Sequence, residues 1–133
     1  MKRLDIYLKD CAIDTVAIRR IVHRSVDFIK NKERLSLVTA IDEIVSNIIR
    51  HGFVNRYGTL RILIYSWKKK IRIVIEDDGR PFDPTTFKTK SYDELIQGET
   101  EGKIGLRLVM RVMDRLEYHR RKGRNQLIME KLI

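Results

Sequence analysis

Leu4, Ile6 and Leu8 alternate with polar residues, the period-two rhythm of a strand buried on one face. After Asp14, a residue suited to capping a helix, the rhythm lengthens. Ile18, Ile21, Val22, Val26 and Ile29 recur at helical spacing and predict a helix that runs to about Lys30. A second helix is predicted from Glu33 to about His51. Leu37, Val38, Ile41, Ile44, Val45 and Ile48 form its apolar stripe, and Gly52 is its stop signal. Two strands follow, TLRILIYSW and IRIVIED, joined by Lys68-Lys69-Lys70 as a solvated turn. Between residues 80 and 101 all periodicity disappears. Loops of that length in compact domains are usually functional or disordered. A third helix fits Ile104 to Arg115, burying Val109, Val112 and Met113, and two last strands near LEYHR and QLIMEKL flank a turn at Lys122-Gly123.

Hairpin-linked strands whose helices must share one face imply an α/β fold. We expect a two-layer α/β sandwich, with a mixed sheet covered on one face by helices. The layout leaves space for a ligand between the sheet edge, the second helix and the long loop. A length of 133 residues suits a single domain, 1–133. Cys11 is the sole cysteine, so no internal disulfide can form and a reducing compartment is expected. Asp5, Lys9 and Asp10 interrupt the opening MKRLDIYLKD, which argues against a signal peptide or a membrane span and for a cytoplasmic protein. The net charge of +10 raises nucleic acid as a partner. The basic residues are scattered, however, and no aromatics interleave with them to stack bases, so direct nucleic-acid binding is not expected. Solvated faces account for most of the charge, which would also suit an acidic protein or a polyphosphate.

Three stretches carry candidate chemistry. In AIDEIVSNIIRHG, Glu43 and Asn47 lie four apart on one helical face, with Arg50 and His51 a turn further on. A solvated Glu–Asn contact and a functional pair both fit that spacing. In IRIVIEDDGRPFDP, strand parity puts Ile71, Ile73, Ile75 and Asp77 on one face and Asp78 on the other. A carboxylate on the core side needs donors, from the protein or from a ligand amine. Gly79 beside it permits close approach or an unusual turn. In EGKIGLRL, Gly102 and Gly105 sit where the long loop enters the third helix, with Lys103 between them. Free amides there suit phosphate, and a flexible loop end would also explain the glycines.

Taken in order, these stretches resemble the nucleotide-binding boxes of the histidine-kinase-like (GHKL) ATPases, and more narrowly the anti-sigma-factor serine-protein kinases of bacteria. The resemblance is carried by Glu43-x-x-x-Asn47 with His51, by Asp77-x-Gly79-x-Pro81-Phe82-Asp83-Pro84, and by Gly102-x-Ile104-Gly105-Leu106-x-Leu108. Arg111-Val-Met-Asp114 and Tyr118 are similar too. The resemblance implies binding of ATP and Mg²⁺. Asn47 would be the metal ligand and Glu43 the general base toward a protein serine. Asp77 would accept from the adenine amino group, with Gly79, Pro81 and Phe82 beside the purine. Residues 82–101 would form the lid, and Gly102, Lys103, Ile104, Gly105 and Leu106 would cradle the phosphates. His51 would pack or hydrogen-bond and take no catalytic part.

The family usually carries two adjacent glycines where this chain has Gly102-Lys103. The implied activity is that of a serine/threonine-protein kinase and anti-sigma factor, which binds a sigma factor, phosphorylates an anti-anti-sigma protein and forms a homodimer. The alternative is a non-catalytic ATP-binding module that switches protein partners. A sensor histidine kinase fragment would need a phosphoacceptor histidine on a separate helix pair. His23, the one histidine in the first helix, is followed by Arg24-Ser25 rather than by an acid.

Overall fold

A computed structural model describes residues 1–86 and 103–133. Strand β1 (Lys2–Ala12) leads into helices α1 (Thr15–Ser25) and α2 (Asn31–Asn47), and α2 widens into a π-helical turn, Ile48–Gly52. Strands β2 (Tyr57–Ser66) and β3 (Lys70–Asp77) form a hairpin. After a single 3₁₀ turn at Pro84–Thr86 come α3 (Lys103–Val112), β4 (Arg115–Arg121) and β5 (Arg124–Leu132). The lid expected over residues 82–101 lies mostly outside the described residues, as does Gly102.

The five strands lie in the order β1-β2-β3-β5-β4. Strand direction corrects the expected mixed sheet, because all four pairings are antiparallel. Strand β4 runs in the same direction as β3 and would pair with it in parallel if the two were neighbours. Instead the hairpin return, β5, inserts between them and is antiparallel to both.

One face of the sheet carries the helices. Leu60, Ile62 and Ile64 of β2, Ile71, Ile73 and Ile75 of β3, and Leu127 and Met129 of β5 pack in one core with Ile18, Val22, Leu37, Ile41, Ile44, Leu106 and Val109. The N-cap of α1 is Asp14, whose carboxylate accepts from Val16 N at 3.0 Å and Ala17 N at 3.1 Å. The helix ends at Ser25, earlier than expected. Val26 and Ile29 are buried all the same, because the turn between the helices folds onto the core. Buried positions in a turn thus continue the helical spacing without continuing the helix. Arg19 holds α1 to α2 through both oxygens of Asp42, at 3.2 and 2.9 Å. At the β4–β5 turn Lys122 and Gly123 have φ of 53° and 74°, the left-handed pair a two-residue hairpin needs.

On the other face, Glu130 is surrounded by Arg72 at 2.8 Å, Arg115 at 2.9 Å and Lys70 at 3.4 Å. Hydrogen bonds from Arg115 and Arg72 hold its carboxyl down at about 2. No helix among the described residues is long and apolar enough to cross a membrane.

Candidate functional site

Asp77 ends β3 on the helix-covered face, 5% exposed, as strand parity requires. Its Oδ1 accepts from Gly79 N at 2.8 Å and from Asn125 Nδ2 at 2.9 Å. Asp78 turns the other way and accepts from Thr59 N at 2.9 Å. Burial pushes the Asp77 carboxyl above its ordinary range, and the Asn125 and Gly79 hydrogen bonds pull against that rise. Asp78 adds to the rise and Arg120 opposes it. The need for donors on an inward acid is therefore met by the protein at one oxygen. Oδ2 receives no hydrogen bond from the described residues.

Gly79 joins this corner to the end of α2 by close approach. A Cβ there would lie 2.9 Å from the Gly52 carbonyl oxygen and 3.0 Å from Asp77 Oδ1. Arg80 N donates to the same Gly52 oxygen at 3.1 Å. The stop of α2 and the exit of β3 are thus pinned to each other. The His51 ring stacks on Phe82 with centroids 5.8 Å apart, in keeping with a packing role for His51. Pro81 beside Phe82 is exposed.

On α2, Asn47 is 1% exposed and directly precedes the π-helical turn. Its Oδ1 accepts from Arg50 Nη2 at 3.2 Å, and its buried Nδ2 has no partner among the described residues. An unpaired buried amide group costs about 1–3 kcal/mol, and turns of this type recur at functional sites. Glu43, one turn earlier, reaches across to α3. A Cβ on Gly105 would lie 1.9 Å from Glu43 Oε2 and 2.4 Å from Glu43 Cδ. The carboxylate therefore rests against bare backbone in the first turn of α3. The Leu106 side chain is 6% exposed in the core, which leaves only its backbone for any ligand.

The structure thus brings Glu43 to Gly105 and Asp77 to Gly79, and links the two corners through Gly52. A cavity of about 60 Å³ that touches Asp77 is bordered by Tyr7, Thr59, Arg61, Glu76, Asp78 and Arg124, and is too small for a nucleotide. Sequence reasoning missed Asn125 and Arg120. Asn125 is in phase with Leu127 and Met129, so an inward polar residue was readable there. Its pairing with Asp77 was not.

The histidine kinase-like ATPase domain pattern matches residues 10–131, a span that includes Glu43, Asn47, Asp77 and Gly105. The chain belongs to that family. The serine/threonine-protein kinase BtrW of Bordetella bronchiseptica is 28% identical over 95 residues, which are 71% of this chain and 67% of that protein. The serine-protein kinase RsbW of Staphylococcus aureus is 34% identical over 90 residues, 63% of this chain and 57% of that one. The match thus spans little more than half of the staphylococcal protein. In shape, this histidine kinase-like ATPase domain resembles the RsbU and RsbW domains of Rv1364c from Mycobacterium tuberculosis. The TM-score is 0.68 over 99% of this chain and 32% of that one, at 14% identity.

A site of this family would take ATP and a magnesium ion, and Asp77 and Asn47 carry oxygens of the kinds the two would need. Asn47 offers a hard amide oxygen, the ligand type Mg²⁺ takes; in this structure that oxygen accepts from the Arg50 guanidinium, which a bound ion would have to displace. Asp77 offers an ionisable acceptor at the end of a buried strand.

Proposed function

We propose that this chain is an ATP-dependent serine-protein kinase acting as an anti-sigma factor. It would bind a sigma factor, phosphorylate a serine of an anti-anti-sigma protein, and work as a homodimer. The observation that carries the reading is the seat of Glu43: its carboxylate lies against Gly105, within the segment we assign to the phosphates. Two relatives named as serine or serine/threonine kinases support it.

In this reading Asp77 accepts from the adenine amino group. Gly79, Pro81 and Phe82 lie near the purine, and the backbone from Gly102 through Lys103 and Ile104 to Leu106 cradles the phosphates. Asn47 would hold Mg²⁺, which when bound neutralises charge on the phosphate oxygens. Glu43 takes the proton from the partner's serine hydroxyl. The serine oxygen bonds to the γ-phosphorus, the bond to the bridging oxygen breaks, and ADP leaves with its electron pair.

The test is transfer of labelled γ-phosphate from ATP to an anti-anti-sigma protein encoded beside this chain. Transfer should require Glu43 and fall about 10²- to 10⁴-fold in Glu43→Gln. Labelling at the wild-type rate in Glu43→Gln would remove Glu43 from the role. ATP binding with no transfer to any candidate substrate would favour a non-catalytic switch.

A further inference from the structure

Asn125 is 5% exposed at the start of β5, and every polar atom of its side chain is engaged. Nδ2 donates to Asp77 Oδ1 at 2.9 Å and to Arg80 O at 2.9 Å, with a longer contact to Gly79 O at 3.3 Å. Its two hydrogens are thus committed. Oδ1 accepts from Arg120 Nη1 at 2.9 Å and from the Tyr118 hydroxyl. Arg120 Nη1 also donates to Gly79 O at 3.0 Å, so the guanidinium from β4 grips both the asparagine and the backbone beyond Asp77. Three elements meet at one carboxylate: β3 supplies it, β5 clamps it and β4 braces the clamp.

We infer that Asn125, braced by Arg120, sets the purine specificity of this site, holding Asp77 so that it accepts a 6-amino group and refuses a 6-oxo group. The inference rests on the reading above that Asp77 faces the purine. A buried carboxylate could tolerate a 6-oxopurine in two ways. By taking up a proton it could donate to O6; by rotating it could re-aim at the ring N1–H. The clamp opposes both. Two N–H donors on Oδ1 favour the ionised, acceptor-only form, and they fix the plane of the group. Oδ2, without a hydrogen bond from the described residues, is left for the ligand in a set direction. Asn125 and Arg120 are positioning residues, since they act through Asp77.

The experiment measures Kd for ATP, for ITP (the 6-oxo counterpart) and for inorganic triphosphate, on the whole chain with magnesium. The wild type should prefer ATP over ITP. Asn125→Ser removes the amide that donates to Asp77. Its preference should fall about 10- to 100-fold, the range for one hydrogen bond to a charged group. Part of the change should be tighter ITP binding, and the triphosphate Kd should not move. Arg120→Met changes an exposed residue and should fold normally, and its preference should fall by a smaller factor in the same direction. An unchanged ATP-to-ITP ratio in both variants overturns the clamp. So does equal weakening toward ATP, ITP and triphosphate, the pattern of general structural damage. A wild type that binds ATP no better than triphosphate would instead overturn the nucleotide reading beneath it.

Discussion

Replacing Gly105 by alanine should separate catalysis from stability. The new methyl would sit 1.9 Å from Glu43 Oε2, whereas ordinary contact begins near 3.4 Å, so one partner must give way by 3.4 − 1.9 = 1.5 Å. Glu43 is half-buried and has three side-chain torsions, so it will move before two packed helices part. Leaving its rotamer costs about 0.5–1.5 kcal/mol. Alanine in a helix recovers up to about 1 kcal/mol relative to glycine. The two terms nearly cancel, and the melting temperature should stay within about 4 °C of the wild type. The kinase reaction should not survive as well. A misplacement of about 1 Å can cost 10²-fold, and losing a general base costs about 10²- to 10⁴-fold.

Single-turnover transfer of labelled phosphate, at ATP concentrations that saturate each variant, reads the chemical step. Gly105→Ala should be at least about 10²-fold slower, and combining it with Glu43→Gln should add little to the loss from Glu43→Gln alone. Full transfer by Gly105→Ala would refute the positioning of Glu43 by this glycine. Multiplicative losses in the double variant would show that the two residues act on separate steps.

Three other perturbations test other parts of the structure. Asp77→Asn should abolish ATP binding without lowering the melting temperature, because it removes a carboxylate whose burial disfavours its charged form; a destabilised variant would show that the charge supports the fold. Glu130 has a folded pKa lowered from 4.5 to about 2, so its stabilising contribution is present above about 4.5 and is lost as pH falls through about 2. Glu130→Gln should therefore flatten the fall in melting temperature across that window, and an unaltered slope would mean that the Arg72 and Arg115 contacts do not persist in solution. Gly58→Ala would place a methyl 2.6 Å from the Phe53 ring, and chemical denaturation should show a loss of about 1–3 kcal/mol, as overpacking predicts; no loss would mean that the ring has room to shift.

Much of this fold is legible in the sequence itself. The parity of IRIVIED put Asp77 among the isoleucines, and that followed from the pleat alone, since alternate residues share a face. Helical spacing put Glu43 and Asn47 on one face of α2, and Asp14 capped α1 as its residue type suggested. Spacing failed at Val26 and Ile29, because burial in a turn and burial on a helix leave the same trace in sequence. Gly52 does end the helical segment, as its residue type suggested, but spacing gave no sign that the last turn, Ile48–Gly52, widens into a π-helix.

Local periodicity determined which residues face inward and which segments coil or extend, because those properties depend on neighbours within a turn of the chain. Tertiary structure alone decided what those inward residues meet. Asn125 reaches Asp77 from 48 positions away because β5 slips between β3 and β4, and Glu43 lies over Gly105 because α2 and α3 pack side by side. Both contacts are set by the order of strands and helices. That order minimises exposed apolar area over the whole chain, so no short window of sequence contains it.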